Sequence, residues 1–274
     1  MLNRSIQIAI AIAAPTMCAH AQYLNYRAPG TPRMRDGKPN LSAPAPRAPN
    51  GKPDLSGIWQ AEGAPLPELL KYEPDGINGL GEDPPSQYFF NVLSNFKPGE
   101  APLQPAVLQR QKERAAKPPA SLCLPPSVPL VHTVPAPFKI VQTPALIMML
   151  YEVETSFRQI YLDGRKHPSD PQPTWLGYSI GRWEGDTLVV DVAGLNNRSP
   201  LDAMGHPHSE AMHVTERFHR LDFGHMNVEI TIDDPKTFTQ PFTYTVKERL
   251  RPDTDLIEYF CIEDEHDSAH MRSQ

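Results

Sequence analysis

GYSIGRWEGDTLVVDV, residues 177 to 192, decides how the chain is read. Two short runs rich in β-branched and aromatic residues flank Glu184-Gly185-Asp186. Gly185 suits the left-handed position of a tight turn, so the stretch reads as a β-hairpin. The same grammar continues on both sides. Upstream lie PFKIVQT, ALIMMLYEV and FRQIYLD; downstream lie AMHVTERFH, MNVEITID, FTYTVKERL and DLIEYFC. Asp163-Gly164, Asp222-Phe223-Gly224 and Pro252-Asp253 supply further turn chemistry between them. No helix-length periodic segment interrupts the series, so crossovers that would make strands parallel are not expected. With Leu55 to Gln60 as a first strand, about ten antiparallel strands result. A meander of that size loses its exposed edges by closing on itself. The expected fold is therefore mainly β, an antiparallel up-and-down barrel, with a two-sheet sandwich as the alternative.

Upstream of this block the composition changes. Residues 22–137 hold 22 prolines and residues 138–274 hold 9. Residues 22–54 contain a short echo, DGKPNLS at 36–42 and NGKPDLS at 50–56. Such a stretch has little to pack and reads as an extended Pro-rich arm. A single barrel domain is expected over residues 55–265, with an irregular, partly helical insertion at 61–137. Within it Ser86 can cap a helix carrying Tyr88, Phe89, Val92, Leu93 and Phe96. A second helix opens at Pro105 and runs to Lys117. Both can lie across a barrel mouth or pack on the outside.

The ends and the charge bound the setting. Asn3 and Arg4, the apolar run Ile6 to Met17 and Ala19-His20-Ala21 have the layout of a secretory signal cut after Ala21, giving a periplasmic or secreted chain. No later stretch is long and apolar enough for a membrane helix. The formal charge of −6 becomes −7 once Arg4 is removed with residues 1–21. A mildly acidic chain disfavours nucleic acid and anionic membrane surfaces as partners. Cys123 and Cys261 remain, and in an oxidising compartment an isolated pair usually forms a disulfide. Two unpaired buried thiols are the alternative. The tail, residues 266–274, ends the chain in solvent.

The richest chemistry sits in GHPHSEAMHVTERFHR, residues 205–220. Gly205 and Pro207 make its first part a loop at a barrel end, placing His206, His208 and Glu210 where a ligand can enter. Alternation along the following strand puts Met212, Val214, Glu216 and Phe218 on one side and His213, Thr215, Arg217 and His219 on the other. The first set reads as core packing and the second as a polar stripe. An acid–base site then consists of His208 or His213 as base with Glu210 as its partner. Arg217, Tyr178 or Arg182 would stabilise developing negative charge. Tyr178 and Arg182 are evenly spaced and share a strand face. Such a set suits isomerase or lyase chemistry on a small apolar or aromatic molecule. Two alternatives use the same pocket. One is a binding protein without turnover, needing no cofactor. The other is a metalloenzyme in which His206, His208 and His213 hold a divalent transition metal such as zinc, copper or iron.

Other candidates carry less. Asp163 shapes a turn, and His132 and His167 lie in loops near prolines, where exposed histidines are the default. Trp175 and Trp183 can line a cavity or fill the core. No phosphate-cradling Gly-rich loop, nucleophile elbow or Cys-based metal cluster is present.

Gly57-Ile58-Trp59 resembles the Gly-x-Trp of lipocalin first strands, where the indole closes one end of the barrel. A wider set of motifs points the same way. It comprises Pro53-Asp-Leu-Ser-Gly-Ile-Trp59, Cys123-Leu-Pro125, PFKIVQTP at 137–144, Asp163-Gly-Arg165 and Pro173-Thr-Trp175. GRWEGDTLVV at 181–190, His208-Ser-Glu210 and Glu216-Arg-Phe218 complete it. Together they resemble a largely uncharacterised family of secreted bacterial proteins, across most of residues 53–263. The resemblance implies export and a lipocalin- or calycin-like barrel, and carries no activity onto named residues.

Overall fold

The computed structural model describes residues 27–72, 84–115 and 124–261, with side chains 112–115 left aside. The expected signal segment 1–21 and Cys123 lie outside the described residues, so the Cys123–Cys261 pairing does too. Nine strands form one closed barrel in chain order. They are β1 Gly57–Ala61, β2 Phe138–Gln142, β3 Leu146–Tyr151, β4 Phe157–Tyr161, β5 Tyr178–Glu184, β6 Thr187–Ala193, β7 His213–Arg220, β8 His225–Asp233 and β9 Phe242–Leu250. β9 closes the barrel against β1 through Trp59↔Leu250 and Ala61↔Glu248. No described helix is long and apolar enough to cross a membrane.

Alternation dictates what each strand buries. Val214, Glu216, Phe218 and Arg220 of β7 point inward, while His213 and His219 are exposed. On β9 the inward set is Phe242, Tyr244, Val246, Glu248 and Leu250. The core is the barrel interior, built around Trp59, Phe138, Ile160, Leu188, Phe218, Val228 and Ile230. The hairpins read from sequence form as expected at two places. Glu184 pairs with Thr187 around Gly185, whose φ is +60°. β7 and β8 turn through Asp222-Phe223-Gly224, where Asp222 accepts from the Gly224 and His225 amides.

Two expectations about the strands are corrected. Nine strands close the barrel instead of about ten, because DLIEYFC contributes only an isolated bridge, Val153 with Tyr259. The barrel is also not wholly antiparallel. β4 and β5 run parallel, joined only at Ile160↔Ser179 and Tyr161↔Ile180. The connection at 162–177 returns to the starting end without a helix, so the absence of a helical period did not exclude a crossover. It is held by Thr174, whose amide donates to the Gly194 carbonyl and whose carbonyl accepts from the Asn196 amide. Gly177 permits the close approach that follows. It has φ +66°, and a Cβ there would lie 2.8 Å from the Ala193 carbonyl oxygen.

The Ser86-capped helix is shorter than the apolar spacing predicts. α1 is Leu66–Leu69 and α2 is Gln87–Phe90. Ser86 caps α2 as expected, accepting from the Tyr88 amide. The helix stops because Asp202 captures the Val92 amide at 2.9 Å and the Asn91 side chain captures that of Leu93. α3 spans Pro105–Ala115. A short 3-10 turn covers Leu130–His132 and carries His132 into the core.

The Pro-rich arm is not an extended tether over residues 27–54. Its echo folds twice into the same turn, with bridges Arg33↔Pro39 and Arg47↔Pro53. Each arginine donates to its own turn glycine, Gly37 or Gly51, and then grips a barrel aspartate. Arg33 reaches Asp253 at 2.6 Å and Arg47 reaches Asp186 at 2.7 Å. Leu55 ends the second turn fully buried. Beside it, Arg220 donates to the carbonyls of Asp54, Asp222 and Phe223 and lies 4.9 Å over the Trp59 ring. Trp59 donates its indole N–H to the Leu55 carbonyl at 2.9 Å. Trp59 and Arg220 thus pack together at the arm's end of the barrel.

Candidate functional site

Four inward strand positions that alternation assigns to the core carry ionisable side chains: Arg158 on β4, Glu216 and Arg220 on β7 and Glu248 on β9. Burying a charge among apolar side chains is expensive unless it is paired and hydrogen-bonded. Arg158 and Glu216 meet that condition. Arg158 Nη1 donates to Glu216 Oε1 at 3.1 Å and Nη2 to Oε2 at 2.5 Å, a two-pronged pair. Arg158 Nε donates to Ser179 Oγ at 2.8 Å. His132 Nε2 stands 2.8 Å from Glu216 Oε1, and its ring packs edge-on against Phe138, Tyr151 and Phe218. The other imidazole nitrogen, Nδ1, is buried with no hydrogen-bond partner.

The electrostatics follow from this geometry. Burial pushes the Glu216 carboxyl up, but Arg158 and His132 outweigh it and hold it at about 2. Burial works against the Arg158 cation, yet Glu216 and Tyr151 keep it above its ordinary value. Burial raises the Tyr151 phenol, which stays neutral. The charged pair is therefore permanent across the working pH range, and His132 is held by a fixed carboxylate.

This network reaches the surface at the β4–β5 seam. Only two residue pairs join those strands, and the gap beside them is a cleft of about 410 Å³. Its walls include Phe157, Tyr161, Trp175, Leu176 and Tyr178, and its buried polar lining is Arg158 and Ser179. Glu154 and Thr155 at its edge hold φ of 53° and 40°, the left-handed region that non-glycine residues seldom adopt. The volume lies within the range of small-molecule sites.

The residues singled out from sequence are placed elsewhere and apart from one another. His206 is buried against Asp202 at 2.5 Å. His208 is buried and donates from Nδ1 to the Ser209 carbonyl. Glu210 lies exposed in the following turn. His213 faces out from β7, its side chain 57% exposed and 3.8 Å from Asp191. Arg217 is also on the outer face, paired with Glu184 at 3.0 Å. Tyr178 and Arg182 do share a face, the outer one. Tyr178 accepts from Arg165 and Arg182 pairs with Glu184. The polar stripe of β7 thus faces away from the interior, and its apolar side carries the buried charge. Among the described residues no group of three His, Cys, Asp or Glu side chains is arranged to hold a metal ion.

Arg158 and Glu216 were legible only through one signal: a charge at an inward position of an alternating strand. In FRQIY the charge precedes Ile160 by two residues, and in HVTERFH it lies between Val214 and Phe218. His132 gave no comparable signal, since its place depends on a turn fitting inside the barrel. Comparison with family models, curated proteins and solved structures returned no match for this chain.

Proposed function

We propose that this protein binds a small, flat, largely apolar molecule in the cleft at the β4–β5 seam, its polar end on Arg158 and Ser179. One observation carries the reading. The aromatic-walled cleft of about 410 Å³ is lined by the same Arg158 and Ser179 that belong to the buried network with Glu216 and His132. Aromatic walls supply apolar contact area, and a fixed polar floor sets orientation. Because Glu216 neutralises Arg158, the floor favours neutral hydrogen-bond acceptors over strong anions. The lipocalin-like reading of the barrel is supported by Trp59, buried under Arg220.

Titration calorimetry with phenol, benzamide and benzoate tests the proposal. Saturable binding of at least one neutral probe is expected, with benzoate weaker. Trp175→Leu should weaken it roughly tenfold, about 1.4 kcal/mol. Absence of saturation by all three probes up to about 10 mM would remove the proposal.

A second reading is favoured by the His132–Glu216 pair. A carboxylate holding one imidazole nitrogen while the other is unpartnered is the arrangement of an oriented general base. Isomerase or lyase chemistry would then run through His132 in place of His208. Exchange of the α-hydrogens of acetophenone in D2O, followed by NMR, is a generic probe of such a base. Faster exchange with the wild type than with His132→Gln is expected, and equal rates would discard the catalytic reading.

A further inference from the structure

A second cleft, of about 480 Å³, lies where α3 meets the loops before β7 and after β8. Its lining differs in kind from the aromatic cleft. It includes Arg110 and Gln111 of α3, Asn197, His208, Ser209 and Lys236. The chain as a whole is acidic, with 32 carboxylate residues against 26 Lys and Arg. Several surface cations elsewhere grip a carboxylate: Arg33, Arg47, Lys139, Arg165, Arg182 and Arg217. Arg110 and Lys236 do not. Among the described residues Arg110 donates only to the Ala106 carbonyl of its own helix, and the Lys236 ammonium makes no ion pair. Asp234, two residues before Lys236, is engaged by the loop itself. It accepts from the Ser209 amide and hydroxyl at 2.6 Å each and from the Lys236 amide at 3.2 Å.

His208 adds a third group of a different character. Its Nδ1 is 3.2 Å from the Ser209 carbonyl, which can only accept, so the ring proton sits on Nδ1. Nε2 is then a bare acceptor, and it has no partner in the structure. Burial keeps the ring neutral, outweighing the Ser209 carbonyl, Asp234 and the Ser199 carbonyl, which favour the charged form.

We propose that this cleft binds a small oxyanion that still carries an O–H, of the hydrogen-phosphate or hydroxy-carboxylate type. Arg110 and Lys236 meet the negative oxygens through charge-assisted hydrogen bonds, Asn197 and Gln111 add amide donors, and His208 Nε2 accepts the ligand's own hydrogen. An anion without a hydrogen leaves Nε2 facing oxygen lone pairs and binds less well.

Inorganic phosphate and sulfate are the probes, compared by titration calorimetry on the full chain at about pH 8, where an unperturbed histidine is neutral. Phosphate there still bears one hydrogen and sulfate bears none. The expected result is saturable phosphate binding, with sulfate at least about tenfold weaker, a difference of about 1.4 kcal/mol. Arg110→Gln and Lys236→Gln should each weaken phosphate about tenfold, while Lys247→Gln, on the exposed face of β9, leaves it unchanged. Lactate against acetate repeats the comparison for the hydroxy-carboxylate source, lactate binding the tighter if that is the natural class. No saturation by about 10 mM phosphate or lactate would overturn the proposal. So would sulfate binding as tightly as phosphate, or Lys247→Gln weakening it as much as Arg110→Gln.

Discussion

Glu216 and Glu248 are both fully buried glutamates pointing into one barrel, and they meet opposite conditions. Across β8 they face Ile230 and Met226, four residues apart and so roughly 13 Å along the strand. Glu216 has the Arg158 fork, His132 and a pKa of about 2. Glu248 has cross-strand neighbours Ala61 and Met226, and neither of its oxygens has a hydrogen-bond partner. Burial, with a smaller push from Glu62, lifts its pKa well above the ordinary value, so it stays protonated. Arg220 lies one strand beyond Met226 in the same row, but it is occupied by the carbonyls of Asp54, Asp222 and Phe223. The lesson is that burial raises every carboxyl alike, and the partners within reach decide whether it becomes an anion or a neutral acid.

Breaking the pair on one side gives the largest effect. Glu216→Gln leaves the Arg158 guanidinium buried without its counter-ion, and should destabilise by about 3–5 kcal/mol. The double replacement Glu216→Leu with Arg158→Met removes both charges and should recover most of that loss. Denaturant midpoints of the three proteins check it. A single variant as stable as the wild type would mean that the pair is not fixed as described. The wild-type contribution also has a defined pH range. Since the folded pKa lies below the ordinary 4.5, it is present above that value and disappears as pH falls towards 2.

Removing the orphan should do the reverse. Glu248→Met replaces two unsatisfied oxygens with an apolar side chain, and should stabilise by on the order of 1–3 kcal/mol near neutral pH. The sign of the pH dependence is opposite to that of Glu216. The folded chain holds a proton on Glu248 that the unfolded chain releases near 4.5, so stability falls as pH rises through that interval. The gain from Glu248→Met is therefore smallest below pH 4.5 and grows towards neutrality. A gain that is flat with pH would place a hidden partner on the carboxyl.

The sequence made the frame of this comparison legible and hid its content. Alternation in HVTERFHR and FTYTVKERL assigns Glu216 and Glu248 to the inward face, because side-chain direction is a local property of a strand. Which strand lies opposite is not local. Arg158 and Glu216 meet only because β4 packs parallel to β5 and the chain 162–177 doubles back without a helix. His132 reads as an ordinary loop histidine until the Leu130–His132 turn carries it inside. The arm was misjudged for a related reason. Apolar content alone said that nothing there could pack, while Arg33 and Arg47 hold its turns to Asp253 and Asp186, partners that lie far along the chain. The dense histidine window drew attention by composition, and the fold disperses it between a buried dyad, the second cleft and the outer face.

Tyr244 separates charge from mere lack of a partner. It lies in the Glu216 row, Glu216↔Ile230↔Tyr244, yet its hydroxyl is buried and unpartnered like the oxygens of Glu248. Burial raises its pKa well above 10, so the group is a neutral phenol at every working pH. Its ring also packs 4.6 Å from Tyr88, contact that phenylalanine would keep. Tyr244→Phe should therefore change stability by no more than about 0.5 kcal/mol, and by the same amount at pH 4 and pH 8. That is a smaller and flatter effect than Glu248→Met, because only the carboxyl has an ionised unfolded form drawing it away from the core. If Tyr244→Phe matched Glu248→Met in size, the cost at Glu248 would lie in missing hydrogen bonds alone and not in its titration.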